Sequence, residues 1–448
     1  MQLTSTHYQV IYFIFTLYFI YLLFSKKYKK SFYFFIFSLP FKNVYLYVGS
    51  LYLELWKTYS LIYLIFLPAY LLKEFRKSRP SSIVFLILVY IIYAAILTVL
   101  YGYWLSDEVL VNVGVFKEYL RPIVQIAFLL LFINLIFIPS YFLTKRDELV
   151  TSLKYYLNAM IFLSILGVIQ AIILYSMGHN IFPIPRLDER LQELVALEGV
   201  KETLFLLQYR ITSICTEPKN FAVFLSFAII ILVEFKKYNI YQYKYHKQIL
   251  ILFSVNLILT FSTTGYIAII LYFFIKSFSS SARYYILGAA IFIFSYLTID
   301  IVNTLINARI IDKLKLEGVD QGILLFFLDQ QIYSFFGVGY GNIHKFAVTY
   351  LEPSTYSAFG NTSFTAISGA LYLIGSVGIV GLLFFYSILL RLYFLMKAYE
   401  DDLALVFANI LFLYIIFSLM RNEPLVYLMA GMSLAYINIK RNEGNYYQ

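Results

Sequence analysis

Charged residues are scarce in this chain, and their scarcity excludes a large class of proteins. Only 13% of the 448 residues are Asp, Glu, Lys or Arg, while 61% are hydrophobic. A soluble chain of this length needs far more charge to cover its surface. Apolar runs of about twenty residues recur along the chain, which is typical of a polytopic helical membrane protein. We therefore predict an all-α integral membrane protein, with residues 1–448 in a single transmembrane domain.

Side chains that bind metals or form disulfides are also scarce. Cys215 is the single cysteine, which excludes an internal disulfide and a cysteine metal cluster within one chain. The four histidines are scattered along the chain, at His7, His179, His246 and His344. No nucleotide-binding, dinucleotide-binding, HExxH or nucleophile-elbow motif is present. We expect no metal site, no cofactor and no ATP-driven mechanism.

The net charge of +10 does not indicate nucleic-acid binding. The basic residues lie in short connections between apolar runs, as the positive-inside rule predicts for cytoplasmic loops. These connections are residues 26–30, 73–79, 145–146, 236–247 and 440–441. We therefore expect membrane lipids rather than nucleic acid as partners, and a cytoplasmic C-terminus.

The apolar runs predict 12–13 membrane helices. They cover residues 8–24, 31–49, 54–72, 82–101, 121–138, 150–176, 218–235, 249–261, 263–276, 284–303, 363–390, 402–420 and 423–438. All basic connections fall on one side if residues 249–276 form a hairpin of two short helices that turns at 262–265. If that run were one span, the orientation of the last third would reverse, so the charge rule favours the hairpin.

This topology places two extended loops, residues 177–217 and 304–362, on the extracytoplasmic side. In the first loop, apolar residues recur at helical spacing between Leu187 and Leu207. That spacing predicts a helix lying along the membrane surface.

The first candidate site lies where a polar stretch enters the apolar segment 221–235. It contains Arg210, Glu217, Lys219 and Asn220. Charged groups next to a membrane helix are costly and often mark a substrate pathway. Arg210 could pair with a phosphate, and Glu217 could act as an acid or base. Alternatively, the stretch is only a capped helix start whose charges reach the lipid headgroups.

The second candidate is the glycine segment, residues 336–342. Gly337, Gly339 and Gly341 permit positive φ and a close approach of backbone N–H groups to a ligand. Glycines at this spacing can equally make turns only. Nearby His344 is either an ordinary loop histidine or a catalytic group, and Lys345 is a loop cation.

The third candidate is Arg121. The dipeptide Arg121-Pro122 predicts a helix start, where the dipole disfavours a cation unless an anion is bound nearby. The alternative is an ion pair between Arg121 and Glu118 at the interface. Arg309 and Arg421 are weaker candidates for cations that face acidic headgroups.

Four segments, in this order, resemble the superfamily of O-antigen ligases and Wzy-type polymerases. They are residues 210–222 (RITSICTEPKNFA), residues 259–266 (LTFSTTGY), residues 336–342 (FGVGYGN), and Asn361 followed by residues 378–382 (GIVGL). The resemblance covers about 170 residues, and the N-terminal third matches in hydropathy alone.

The resemblance implies a metal-independent glycosyltransferase with a GT-C-like fold in a bacterial inner membrane. Its active site would face the periplasm and bind undecaprenyl-diphosphate-linked oligosaccharides, with a chain-length regulator as a further candidate partner. Thr263 stands where the family commonly has an arginine. The histidine that the ligase branch carries is absent from residues 359–364. These departures favour a polysaccharide polymerase.

The resemblance also implies roles for the candidate residues. Arg210, Arg121 and either Lys219 or Arg309 would stabilise the leaving diphosphate. Asn220, the three glycines and Asn342 would bind diphosphate or sugar, with Glu217 the first candidate base and His344 the second. A ligase and a lipid-linked oligosaccharide flippase remain alternatives. The flippase is disfavoured because the sequence shows neither a mid-span carboxylate nor paired broken helices.

Overall fold

A computed structural model describes most of the chain: residues 5–48, 51–75, 81–104, 115–177, 181–182, 211–215, 218–277, 319–347, 350, 369–399, 401–417 and 424–444. Within these residues, seven helices are long and apolar enough to cross a membrane. They are Thr6–Phe24, Leu55–Glu74, Ser82–Tyr103, Leu120–Phe142, Arg146–Met177, Pro218–Lys237 and Leu371–Ala398. The prediction of a helical multi-pass membrane protein is confirmed at this level.

The N-terminal part combines helices with one small β-hairpin. Its elements are α1 (Ser5–Phe24), α2 (Tyr28–Ser38), β1 (Tyr45–Val48), β2 (Leu51–Glu54), α3 (Leu55–Tyr63), a 3-10 turn (Leu64–Phe66) and α4 (Leu67–Phe75). The apolar run 31–49 is therefore not one helix. Helix α2 ends at Ser38, just before Pro40, which cannot donate a backbone hydrogen bond. Antiparallel pairing of Tyr45 with Glu54 begins the hairpin.

The next helices are α5 (Ser82–Val99), a π-helical turn (Leu100–Trp104), α6 (Val115–Phe142) and α7 (Arg146–Met177). Helix α6 begins at Val115, so the prediction that Arg121-Pro122 starts this helix is wrong. Pro122 lies inside the helix. Its ring packs against Gly102 so closely that a Cβ on Gly102 would lie 2.5 Å from Pro122 Cγ. Arg121 is therefore not in the first turn, where the helix dipole would disfavour a cation.

The most buried of the seven spans is α8 (Pro218–Lys237), with 83% of its apolar window inside the protein. Pro218 is its first residue, as predicted. The hairpin prediction is also confirmed, by α9 (His246–Leu259) and α10 (Thr263–Ser277), although the turn lies slightly earlier, at residues 260–262. Gly265 lets α10 approach α8 closely, because a Cβ there would lie 2.8 Å from the Ala222 Cβ.

The C-terminal part contains α11 (Val319–Asp329), α12 (Gln331–Phe336), α13 (Ile343–Ala347), α14 (Gly369–Ala398), α15 (Asp402–Phe417) and α16 (Pro424–Asn442). Helix α16 packs so closely on α6 that a Cβ on Gly431 would lie 2.6 Å from the Ile136 carbonyl oxygen. The predicted helix at 187–207, the run 284–303 and much of both predicted loops lie outside the described residues. The total of 12–13 helices stays a prediction.

Candidate functional site

Helix α14 is broken at Gly378, and the glycine segment fills the break. Gly378 has φ 68° and ψ 179°, which is not helical. Carbonyls before such a break need partners other than the N–H groups four residues later. The Val338 N–H donates to the Gly375 oxygen at 2.9 Å, and the Gly339 N–H donates to the Ser376 oxygen at 2.9 Å. The segment thus supplies the hydrogen bonds that the broken helix needs.

The glycines are required because backbone meets backbone here. Gly337 has φ 82°, and a Cβ on it would lie 2.5 Å from the Gly378 nitrogen. Gly339 has φ 85°, and a Cβ on it would lie 2.5 Å from the Thr98 Cα. Both φ values are in the region that favours glycine. No side chain fits at either position without displacing a neighbouring helix.

Side chains of α5 complete the packing of the glycine segment. The Tyr340 N–H donates to Thr98 Oγ1 at 3.0 Å, and the Tyr340 and Tyr90 hydroxyls are 2.8 Å apart. The Tyr93 hydroxyl lies 2.8 Å from the Phe336 oxygen and 3.1 Å from the Val377 oxygen. A single phenol therefore bridges the glycine segment and the broken helix.

Most N–H groups of the glycine segment, those of residues 337–340 and 342, consequently donate inside the protein. The Gly337 N–H donates to the Tyr333 oxygen at 2.8 Å, and the Asn342 N–H donates to the Gly339 oxygen at 3.3 Å. These bonds favour the alternative in which the glycines shape the chain, rather than the one in which N–H groups bind a ligand. Any ligand at this segment would be recognised by the side chains of its neighbours.

Polar side chains collect on the C-terminal side of the glycine segment. Asn342 is fully buried and donates to the Thr98 oxygen at 3.1 Å. His344 is fully buried on α13, and Lys345 Nζ donates to the Gly102 oxygen at 3.1 Å. That oxygen belongs to the π-helical turn, and such turns are frequent at functional sites. We call Asn342, His344 and Lys345 the polar cluster.

Helix α6 also packs against this region. A Cβ on Gly341, which has φ 74°, would lie 2.7 Å from Gln125 Cγ. Pro122 of the same helix packs on Gly102, the residue that accepts the Lys345 hydrogen bond. Arg121, which precedes Pro122, is half-buried. The structure thus brings together the three glycines, Asn342 and His344, and packs this region against α6, the helix that carries Arg121. The sequence indicated all of these residues as candidates.

Helix lengths show how far the surroundings of the polar cluster lie from the basic ends of three helices. At 1.5 Å per residue, Thr98 is about 24 Å from Ser82, Gly378 about 30 Å from Ala398, and Arg121 about 32 Å from Phe142. The hydrocarbon core of a bilayer is about 30 Å thick. Ser82, Phe142 and Ala398 all lie beside basic residues, at 73–79, 145–146 and 397. Along these helices, the surroundings of the polar cluster are therefore about one bilayer thickness away from the basic residues.

The 211–215 segment, part of the first candidate site, is held by an amide from α7. Gln170 Oε1 accepts the Thr212 N–H at 3.0 Å and the Ser213 N–H at 2.7 Å. Asn43 Nδ2 donates to the Cys215 oxygen at 3.0 Å. Sequence reasoning missed Gln170 and Asn43, although each is an amide within an apolar stretch, and such polar groups merit attention in a membrane span.

The remaining predicted residues divide between described and undescribed parts of the chain. Lys219 and Asn220 are half-buried in the first turn of α8. Arg210, Glu217 and Arg309 lie outside the described residues. The described contacts of the 211–215 segment go to α7, α9 and the α2–β1 connection, whereas the glycine segment contacts α5, α6 and α14. The idea that the two candidate sites face each other stays a prediction.

Glu234, whose carboxylate is fully buried, was not selected from the sequence. Glu234 lies in the second-last turn of α8 and accepts a hydrogen bond from the Tyr272 hydroxyl of α10. Its position was visible as the lone acidic residue of the run 218–235. Glu234 lies near the helix end, so it does not contradict the expectation that no carboxylate lies at mid-span.

The fold defines the chain as a helical, multi-pass membrane protein. No family model, curated protein or solved structure matches it. The polar cluster, the glycine segment and the break at Gly378 are therefore the features that bear on its function.

Proposed function

We propose that the protein is a polysaccharide polymerase that joins undecaprenyl-diphosphate-linked repeat units at the membrane boundary opposite the basic connections. One observation carries the proposal: the glycine segment fills the break in α14 and packs on α5 and α6. This places the polar cluster of residues 342–345 against the helix that carries Arg121. Polar groups gathered at such a boundary suit a substrate with a polar head and a lipid tail.

The proposed reaction transfers a glycan between two lipid-linked molecules. The acceptor hydroxyl forms a new bond to the anomeric carbon, and the bond from that carbon to the diphosphate oxygen breaks. The diphosphate keeps the electron pair, and the hydroxyl proton passes to a base. Stabilising charge on the departing diphosphate is the main task of the protein.

Cations near the polar cluster are suited to that task. A guanidinium such as that of Arg121 can form two parallel hydrogen bonds with phosphate oxygens, and the Lys345 ammonium, which bonds to the Gly102 oxygen, adds positive charge to the polar cluster. Arg210, Lys219 and Arg309 are the further candidates. Glu217, from the sequence motif that also holds Arg210, remains the first candidate base, and His344 of the polar cluster is the second.

The test is an incubation of the purified full chain, in liposomes, with lipid-linked repeat units alone. A polymerase converts them into a ladder of longer lipid-linked glycans, which mass spectrometry resolves. Single units that remain unchanged in a folded, correctly inserted preparation would contradict the proposal.

Two alternatives give different results in cells that lack the protein. Loss of a flippase leaves repeat units in the cytoplasmic leaflet, whereas loss of a polymerase leaves single units on the outer side. Loss of a ligase leaves long lipid-linked chains that are not joined to a surface acceptor. Accessibility of the units to an added glycosidase, together with their length, separates the three.

A further inference from the structure

The connection between α8 and α9, residues 236–247, is strongly basic. It contains four lysines and no carboxylate. Helix α8 ends in a tight turn, in which Asn239 has φ 51° and the Ile240 N–H donates to the Phe235 oxygen at 3.0 Å. This is the usual geometry of a helix C-terminus with a left-handed residue. The chain therefore leaves the helix direction at once, and the connection to α9 is short.

Tyrosines fix the connection on α7. The Lys154 ammonium lies 3.5 Å from the centre of the Tyr241 ring, a cation–π contact. The Tyr243 hydroxyl donates to Asn158 Oδ1 at 3.0 Å. Burial is the main cause that raises the pKa of Tyr243, and the nearby Tyr241 raises it further. The phenol of Tyr243 therefore remains a neutral donor. The connection is thus an ordered surface.

Three lysines of this ordered surface, Lys236, Lys244 and Lys247, are exposed and have no carboxylate within ion-pair distance in the described part of the chain. Some other cations on the same membrane face, in contrast, are neutralised by carboxylates of the chain. They form the pairs Lys29–Glu148, Arg146–Asp401 and Lys440–Glu443. The positive charge of the 236–247 connection is therefore available to an anion from outside the chain.

We propose that the 236–247 connection binds the anionic headgroup of a phospholipid. Lysines beside a membrane helix attract anionic lipids, and tyrosines favour the headgroup level of the bilayer. The lipid phosphate would lie among Lys236, Lys244 and Lys247, with the ordered tyrosines beneath it. A lipid surface is the favoured occupant because the short connection cannot leave the membrane. This inference does not depend on the proposed enzymatic function.

The experiment measures lipid binding to the full chain in detergent. Phosphatidylglycerol and phosphatidylcholine are titrated separately, and native mass spectrometry counts the bound lipids. The variant K236Q/K244Q/K247Q is expected to bind phosphatidylglycerol about tenfold more weakly, with phosphatidylcholine binding unchanged. Raising the salt concentration should remove most of the difference, since salt screens exposed charges.

The matched control is K26Q/K27Q/K30Q, which removes the same charge from the α1–α2 connection on the same face. It should keep phosphatidylglycerol binding within about twofold of the unchanged chain, because the proposal assigns the lipid to one ordered surface. Equal losses in both variants would show a general effect of positive charge and would overturn the proposal. So would unchanged binding in K236Q/K244Q/K247Q. Equal unfolding midpoints in phosphatidylcholine confirm that the variants are folded.

Discussion

The glycine segment and the 211–215 segment are two stretches of irregular backbone that meet the same requirement in different ways. In the glycine segment, backbone N–H groups donate to carbonyls freed by the break at Gly378. In the 211–215 segment, one side chain, Gln170, accepts two backbone N–H groups. The first solution needs glycine, because two backbones touch, and the second needs an amide of the right length.

The difference shows why a glycine-rich motif in a membrane protein is an uncertain sign of a ligand loop. Unpaired backbone groups are so costly in a bilayer that irregular segments persist only where the protein satisfies them. Here the glycines serve this structural need, and the neighbouring polar cluster carries the candidate chemistry. The two segments should accordingly lose stability to different substitutions: the glycine segment when a side chain is added to a glycine, and the 211–215 segment when the amide acceptor is removed.

The largest loss of stability is expected for Gly378→Ala, which would disturb the hydrogen bonds between the glycine segment and the broken helix. The new Cβ would lie 2.2 Å from the Phe335 oxygen, and φ is 68°. Strain and clash together should lower the free energy of unfolding by about 3 kcal/mol or more. Thermal unfolding in detergent measures this loss.

The control for that prediction is Gly375→Ala in the same helix. Its Cβ would meet its nearest neighbour, a methyl of Ile343, at 3.5 Å, which is ordinary contact. An equal loss in both variants would show that α14 tolerates alanine at neither position. It would contradict the prediction that the break at Gly378 specifically requires glycine.

A smaller loss is expected for Gln170→Met, which tests the 211–215 segment. Methionine keeps the length of the side chain but removes the acceptor, so the Thr212 and Ser213 N–H groups lose their partner. Each buried unsatisfied donor costs about 1 to 3 kcal/mol. Unfolding at equilibrium should show a loss of about 2 kcal/mol, whereas Gln248→Met, at an exposed position, should change little. A stable Gln170→Met variant would mean that water satisfies this segment.

The smallest effect is expected for Tyr93→Phe. The hydroxyl bridges the Phe336 and Val377 oxygens, and its loss should cost about 1 kcal/mol because the ring still packs. Tyr101→Phe is the matched control, since its ring contacts with Tyr333 and Phe346 do not need a hydroxyl. Indistinguishable unfolding midpoints for the two variants would show that the bridge is not important for stability.

Hydropathy was sufficient to predict the seven long apolar helices and the division of 249–276 into α9 and α10, but not that the run 31–49 is no single helix. It also placed the start of α8 at Pro218, because proline suits the first turn of a helix. It could not predict the β-hairpin at 45–54, where an aromatic, apolar stretch has the same composition as a helix. Nor could it show the break in α14, because Gly378 lies in an otherwise continuous apolar run.

The candidate site was only partly predictable. The glycine spacing indicated positive φ, and Gly337, Gly339 and Gly341 adopt it. A local pattern does not reveal which distant backbone a glycine will touch, so the packing of Gly337 on Gly378 was not foreseeable. Arg121 was selected because it was predicted to start a helix, and that prediction is wrong. Its helix nevertheless packs on the glycine segment through Gln125 and on Gly102 through Pro122. Contacts between distant parts of the chain decided both outcomes.

The central claim is that the polar cluster beside Arg121 is where repeat units are joined. Its most direct test is the length distribution of lipid-linked glycans made by the purified chain, Arg121→Ala and Ile123→Ala, the last being an exposed apolar position two residues away. We predict a full ladder for the unchanged chain and Ile123→Ala, and a yield at least about a hundredfold lower for Arg121→Ala, since a transition-state charge contact is lost. A full ladder from correctly inserted Arg121→Ala would contradict the claim.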